Sequence, residues 1–229
     1  MTGDADALAS ILLEAKRTAS PVDGMVAPWI DLTPTMLRHV GWSIAVQSGA
    51  STSPYWKLGA IDAHTQERLG VDGPICAPLD PDCVSAGVSS SIVHLSSLIH
   101  PKFEPEIGVC VRDGRLLAMP CVEIADSRFS RWNMPPGGVL ADGALQGRMI
   151  FGIPLEPFET INVTVRLDDV DIAHGSGTWT EASSRLMMIP EGSAVEMVAT
   201  GALTALFNCK PGSWSFDFGR LGSIAVQVV

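Results

Sequence analysis

The chain has 229 residues, 46% of them hydrophobic and 17% charged, the composition of a globular protein long enough to bury a core without disulfide or metal staples. Fifteen Lys and Arg against 25 Asp and Glu give a formal charge of −10, the wrong sign for attraction to phosphate backbones or anionic lipid, which argues against a nucleic-acid partner. Five scattered cysteines without a Cys-x-x-Cys pair, no basic signal-like start and no apolar run of membrane-span length predict a reduced, cytoplasmic protein with no membrane association.

From Asp4 to Arg17 the residues Ala5, Leu8, Ile11, Leu12 and Ala15 recur at three- and four-residue steps, the stripe of an amphipathic helix that Ser20-Pro21 ends. A second helix is predicted after Thr33-Pro34, with Thr33 as N-cap and Pro34 in the first turn, running through Met36, Leu37, Val40 and Ala45. Beyond residue 75 Gly, Pro and Ser become frequent, and the apolar runs turn short and β-branched. Asp113-Gly114 between Ile107–Val111 and Arg115–Met119 predicts a hairpin, and Asp168-Asp169 between Asn162–Leu167 and Val170–Ala173 predicts another. The tail from Ala194 to Val229 suits short strands, with turns at Lys210-Pro211-Gly212 and Arg220-Leu221-Gly222. The expected organisation is α+β: a mainly helical region over 1–75 and a β-rich core over 76–229, forming one structural unit.

The stretch Phe103-Glu104-Pro105-Glu106-Ile107 carries the chemistry. Side chains two apart on a strand share a face, so Glu104 and Glu106 project together while Phe103, Ile107, Val109 and Val111 face the other way. Such a pair is either a solvated edge-strand face or a site whose charge is offset by a proton, a base or a hard divalent cation. Glu123, inside the apolar run Pro120-Cys121-Val122-Glu123-Ile124-Ala125, is a third acid in a setting where a lone charge is rarely buried. It either joins the pair or bridges to Arg128, and Asp126 is either a turn residue paired with Arg128 or a further ligand candidate.

These segments, with Tyr55-Trp56-Lys57-Leu58-Gly59, Gly70-Val71-Asp72-Gly73-Pro74 and Leu140-Ala141-Asp142-Gly143-Ala144, resemble the 2-keto-4-pentenoate hydratase and 4-oxalocrotonate decarboxylase branch of the fumarylacetoacetate hydrolase superfamily. The order and approximate spacing hold over residues 5–155. The resemblance implies a fumarylacetoacetate-hydrolase-like mixed β-sheet roll with N-terminal helices, a Mg²⁺ cofactor that Mn²⁺ can replace, and small 2-oxo or 2-hydroxydienoate acid substrates from aromatic catabolism. It implies metal ligands Glu104, Glu106 and Glu123, with Asp126 in reserve, and places Lys57 near the substrate. The sequence departs from the family in a short connection, 17 positions, between Glu106 and Glu123, in Gly143 where Asn is usual, and in Thr178-Trp179-Thr180-Glu181 after Gly177.

The implied activity is that of a Mg-dependent hydro-lyase, adding water to a 2-hydroxypenta-2,4-dienoate-like substrate. Decarboxylation, carbon–carbon hydrolysis and a non-catalytic partner-subunit role are the alternatives. Lys57 is the expected acid–base group, its pKa lowered by desolvation beside a cation. His64 is the second candidate, and His100 reads as a structural residue or a base. A homo-oligomer is expected.

Overall fold

In the computed structural model, which describes residues 2–229, the strands in chain order are β1 (Tyr55–Gly59), β2 (Ile75–Pro78), β3 (Val84–Ala86), β4 (Ser90–Val93), β5 (Lys102–Arg112), β6 (Arg115–Ala125), β7 (Gln146–Phe151), β8 (Thr160–Leu167), β9 (Val170–Thr178), β10 (Met197–Ala202), β11 (Phe207–Asn208), β12 (Gly212–Asp217) and β13 (Ser223–Val228). The α-helices are α1 (Thr2–Thr18), α2 (Pro34–Gln47), α3 (Ala63–Leu69), α4 (Gly138–Ala141) and α5 (Trp179–Ser184). Both expected helices form. Thr33 caps α2 through its side-chain oxygen, which accepts from the Met36 N–H at 3.3 Å.

One sheet has the order β2-β1-β10-β5-β6-β7-β3, with β11 also paired to β5; the second has the order β4-β13-β12-β8-β9. The sheets pack through Phe103, Ile107, Val122 and Ile124 from one side and Val163, Phe216, Ile224 and Val226 from the other. Those residues come from the face of β5 and β6 opposite Glu104 and Glu106, as the alternation predicts. α1, α2 and α4 form a separate helical layer closed over Trp29 and Phe129. No helix among the described residues is long and apolar enough to cross a membrane.

Both expected hairpins form, the first through Asp113 (φ +51°) and Gly114 (φ +72°), a left-handed pair that suits the twist of the ladder. Tyr55–Gly59 is a strand of the main sheet, pairing parallel with β10 and antiparallel with β2, so residues on both sides of position 75 build one sheet.

Candidate metal centre

The antiparallel register of β5 and β6 sets Glu104 directly opposite Glu123 and Glu106 opposite Cys121, so the three acids share the face turned away from the inter-sheet core. One oxygen from each of Glu104, Glu106 and Glu123 lies within 4.8 Å of the other two. Glu106 and Glu123 are each only 1% exposed, while Glu104 is partly buried on the wall of a cavity of about 940 Å³.

Each acid is held by a different element. Pro105 has no N–H to offer, and beside it the β5–β10 ladder lapses: the register shifts between Ala199 and Ala202, leaving Thr200 and Gly201 as a bulge. Thr200 Oγ1 donates to the Ile107 carbonyl at 2.7 Å, and the Gly201 N–H donates to Glu106 Oε2 at 2.7 Å. Gly201 adopts φ +106°, and a Cβ there would lie 3.0 Å from Ile61 Cγ1, so the bulge needs glycine on both counts. Lys57, on β1 and 5% exposed, donates from Nζ to Glu123 Oε1 and, at 2.7 Å, to the Ala144 carbonyl. Glu123 Oε2 is buried without a hydrogen-bond partner.

Three carboxylates thus face one buried ammonium, with Arg68 and Lys102 acting more weakly on Glu104. Burial, then the Glu123 charge, pushes Glu104 up to about 7; burial, Glu123 and Glu104 push Glu106 well above the usual carboxylate range, against the pull of Lys57 and the Gly201 N–H. Burial alone would depress Lys57, but the Glu123, Glu104 and Glu106 carboxylates outweigh it and hold the ammonium above its ordinary value. The carboxylates by themselves thus act in the direction opposite to the lowering expected beside a cation. The excess negative charge, the all-oxygen donor set and the unpartnered Glu123 Oε2 suit a hard divalent cation.

Neither expected pairing with Arg128 forms at Glu123 or Asp126. Arg128 Nη1 instead meets Asp142 Oδ1 at 2.9 Å in a buried ion pair, and Ser127 Oγ donates to Asp142 Oδ2 at 2.9 Å. This pair fixes the turn that presents the Ala144 carbonyl to Lys57. Asp126 accepts the N–H groups of Ile99 at 2.9 Å and His100 at 2.7 Å, so its two oxygens hold the entry to β5 and lie outside the cluster. His100 is exposed and tied through its backbone, its carbonyl accepting from Trp132 Nε1 at 2.8 Å. His64 is an exposed residue of α3 on the wall of the same cavity as Lys57. Sequence reasoning missed Gly201 and Ala144; a glycine inside the strand-like run Met197-Val198-Ala199-Thr200-Gly201-Ala202 was the available sign of a bulge.

No family model matches the chain. It is 31% identical to 2-keto-4-pentenoate hydratase 2 of Dechloromonas aromatica (strain RCB) over 132 residues, 51% of this chain and 45% of that protein. It is 27% identical to 4-oxalocrotonate decarboxylase of Pseudomonas sp. (strain CF600) over 241 residues, 90% of this chain and 89% of the relative. The chain is a homologue of these hydratases and decarboxylases. It spans about half the length, 45%, of the hydratase it matches. A solved 4-oxalocrotonate decarboxylase from Pseudomonas putida G7, complexed with magnesium and adipate, superposes with TM-score 0.86 at 21% identity, over 100% of this chain and 98% of that one. The fold of this homologue is accordingly fumarylacetoacetate-hydrolase-like, an α+β roll of curled sheets.

Proposed function

We propose that the chain is a divalent-metal-dependent lyase of 2-oxo or 2-hydroxydienoate acids, and that its reaction is hydration of a 2-hydroxypenta-2,4-dienoate-like substrate. The observation that carries this reading is the convergence of Glu104, Glu106 and Glu123, with the free Glu123 Oε2, beside Lys57 at a cavity large enough for such an acid. Homology to hydratases and decarboxylases supports it.

Glu104, Glu106 and Glu123 would hold the cation, with Mg²⁺ favoured by the oxygen-only donors and Mn²⁺ as substitute. When bound, it supplies Lewis-acid polarisation of a carboxylate and its neighbouring 2-oxygen. The Gly201 N–H fixes one oxygen of Glu106 and thereby aims the other, while Lys57 does the same for Glu123. Lys57 has three donor hydrogens, two of them committed to Glu123 and Ala144, so the third is available to the cavity it lines. Held as an ammonium, it delivers a proton to the substrate chain and is restored from water. We assign His64, on the cavity wall, to proton exchange with solvent.

Decarboxylation of an oxalocrotonate is the second reading, favoured by the match to a decarboxylase over 90% of this chain. The proposal includes a homo-oligomer, supported by the exposed Trp42 and Val46 on α2 and the sheet-edge position of β4, and checked by light scattering. The deciding experiment is calorimetric titration with Mg²⁺ or Mn²⁺ in the presence of oxalate, for wild type and Glu106→Ala. Metal-dependent oxalate binding, lost in the variant, is expected and would be followed by turnover assays on dienoate acids. Folded wild type that binds neither metal nor oxalate would overturn the reading.

A further inference from the structure

The bulge that clasps Glu106 has a second partner on its other end. The Thr200 carbonyl and the Gly201 N–H belong to one planar peptide group, and both are engaged by charged side chains. The N–H donates to Glu106 Oε2 at 2.7 Å, and the carbonyl accepts from Arg185 Nη1 at 2.8 Å. A guanidinium, a peptide and a carboxylate are thus joined in series by two hydrogen bonds.

Local packing puts Arg185 there. It opens the 3-10 turn Arg185–Met188 that follows α5, a few residues past Thr178-Trp179-Thr180-Glu181, where the sequence leaves the family pattern. Ala182 of α5 is buried in the inter-sheet core, and Leu186 packs on the cluster of Trp56, Leu58 and Val198 from β1 and β10, so the turn is anchored on both sides of Arg185. Thr200 is 1% exposed and sits where the β5–β10 register lapses, and its carbonyl takes a side-chain donor. Among the described residues Arg185 has no carboxylate at ion-pair distance, so it does not pair with Glu106 directly.

A cation on a carbonyl oxygen draws electron density across the C–N bond, whose partial double-bond character carries the effect to the N–H. Hydrogen bonds in series polarise one another, the more so away from water, and bonds to ionised groups are the stronger ones. We propose that Arg185 is a positioning residue of the metal centre: its guanidinium, acting through the Thr200–Gly201 peptide, polarises the N–H that clasps Glu106 and so holds that carboxylate in place for the cation. The consequence for the cation rests on the metal-centre reading, whereas the clasp is a property of the metal-free chain.

The test uses the full chain, isotope-labelled for amide NMR, as wild type, Arg185→Met, Arg185→Lys and Arg185→Gln. The Gly201 amide-proton shift is read without metal, and Mg²⁺ affinity is read by calorimetry. Arg185→Met should move the Gly201 proton upfield and weaken Mg²⁺ binding about tenfold, the lower end of what losing an outer partner of a metal ligand costs. Arg185→Lys keeps the charge and should retain part of both readings. Arg185→Gln offers a neutral donor to the same carbonyl and should fall close to Arg185→Met. That order separates polarisation from bracing, since a brace needs a donor but no charge. If Arg185→Met fails to fold, the Lys and Gln variants carry the comparison. Readings unchanged in Arg185→Met, whatever its thermal midpoint, overturn the inference, as does an Arg185→Gln that equals or exceeds Arg185→Lys. A shifted Gly201 proton with unchanged Mg²⁺ affinity overturns it too, because the clasp would then not serve the cation. Folded wild type that binds no Mg²⁺ overturns the metal-centre reading, and the Gly201 shift still decides whether Arg185 governs the clasp.

Discussion

Glu104 and Glu123 stand directly opposite each other across the β5–β6 ladder, two carboxylates on adjacent strands with their side chains on one face. Like charges in that relation weaken a sheet, and here burial adds to the repulsion. The arrangement opposes stability unless a cation or protons occupy it. Glu104→Gln should therefore raise the thermal midpoint of the metal-free protein at pH 8, by about 2–4 °C for each kcal/mol of repulsion removed, while weakening Mg²⁺ binding at least about tenfold. Differential scanning calorimetry with chelator, followed by metal titration, reads both. A lower midpoint together with unchanged metal affinity would show that Glu104 is a stabilising structural residue.

The same repulsion sets a pH dependence. Glu104 is pushed from 4.5 up to about 7 in the folded chain, so between those values the folded state keeps a proton that the unfolded state has lost. The folded state then binds more protons, and stability falls as pH rises through that window. Mg²⁺, which needs the carboxylate form, should release protons on binding at pH 6 and fewer at pH 8. Calorimetry in buffers of different ionisation enthalpy measures this, and proton release independent of pH would refute it.

Lys57→Met leaves Glu123 buried with neither of its oxygens paired. Breaking a buried pair from one side costs about 3–5 kcal/mol, so the denaturant midpoint should drop markedly at pH 8. If Lys57 handles the proton as proposed, turnover should fall about 10²–10⁴-fold even in the variant population that remains folded. A denaturant midpoint unchanged from wild type would mean that the pairing with Glu123 contributes nothing to stability.

Gly201→Ala tests the backbone clasp without touching an acid. At φ +106° and with Ile61 Cγ1 3.0 Å from the new Cβ, alanine is strained by about 1–3 kcal/mol, and relief of that strain must shift the N–H that holds Glu106. Metal affinity should weaken along with stability, whereas substitution at the exposed turn residue Gly192, where a Cβ meets nothing within 4 Å, should leave metal affinity unchanged. Equal metal affinity in wild type and Gly201→Ala would show that Glu106 needs no such clasp.

What the sequence by itself determined is local. The Glu104-x-Glu106 alternation, the Asp113-Gly114 hairpin and the Thr33-Pro34 helix start are each legible because strand period, turn conformation and capping act over a few residues. Glu123 was legible as an acid that needed a partner, though the partner was not. Lys57 reaches it from 66 positions away, and Arg128, nearer in sequence, goes to Asp142 instead. Tyr55–Gly59 fell inside the region expected to be mainly helical, and its strand partner β10 is a parallel strand near the other end of the chain. The bulge that clasps Glu106, the withdrawal of Asp126 to the entry of β5 and the placing of Arg185 beside Gly201 were likewise decided by tertiary structure. Periodicity fixes which face a side chain takes. Which distant strand that face meets depends on register and packing between segments far apart in the chain, and no short window of residues encodes it.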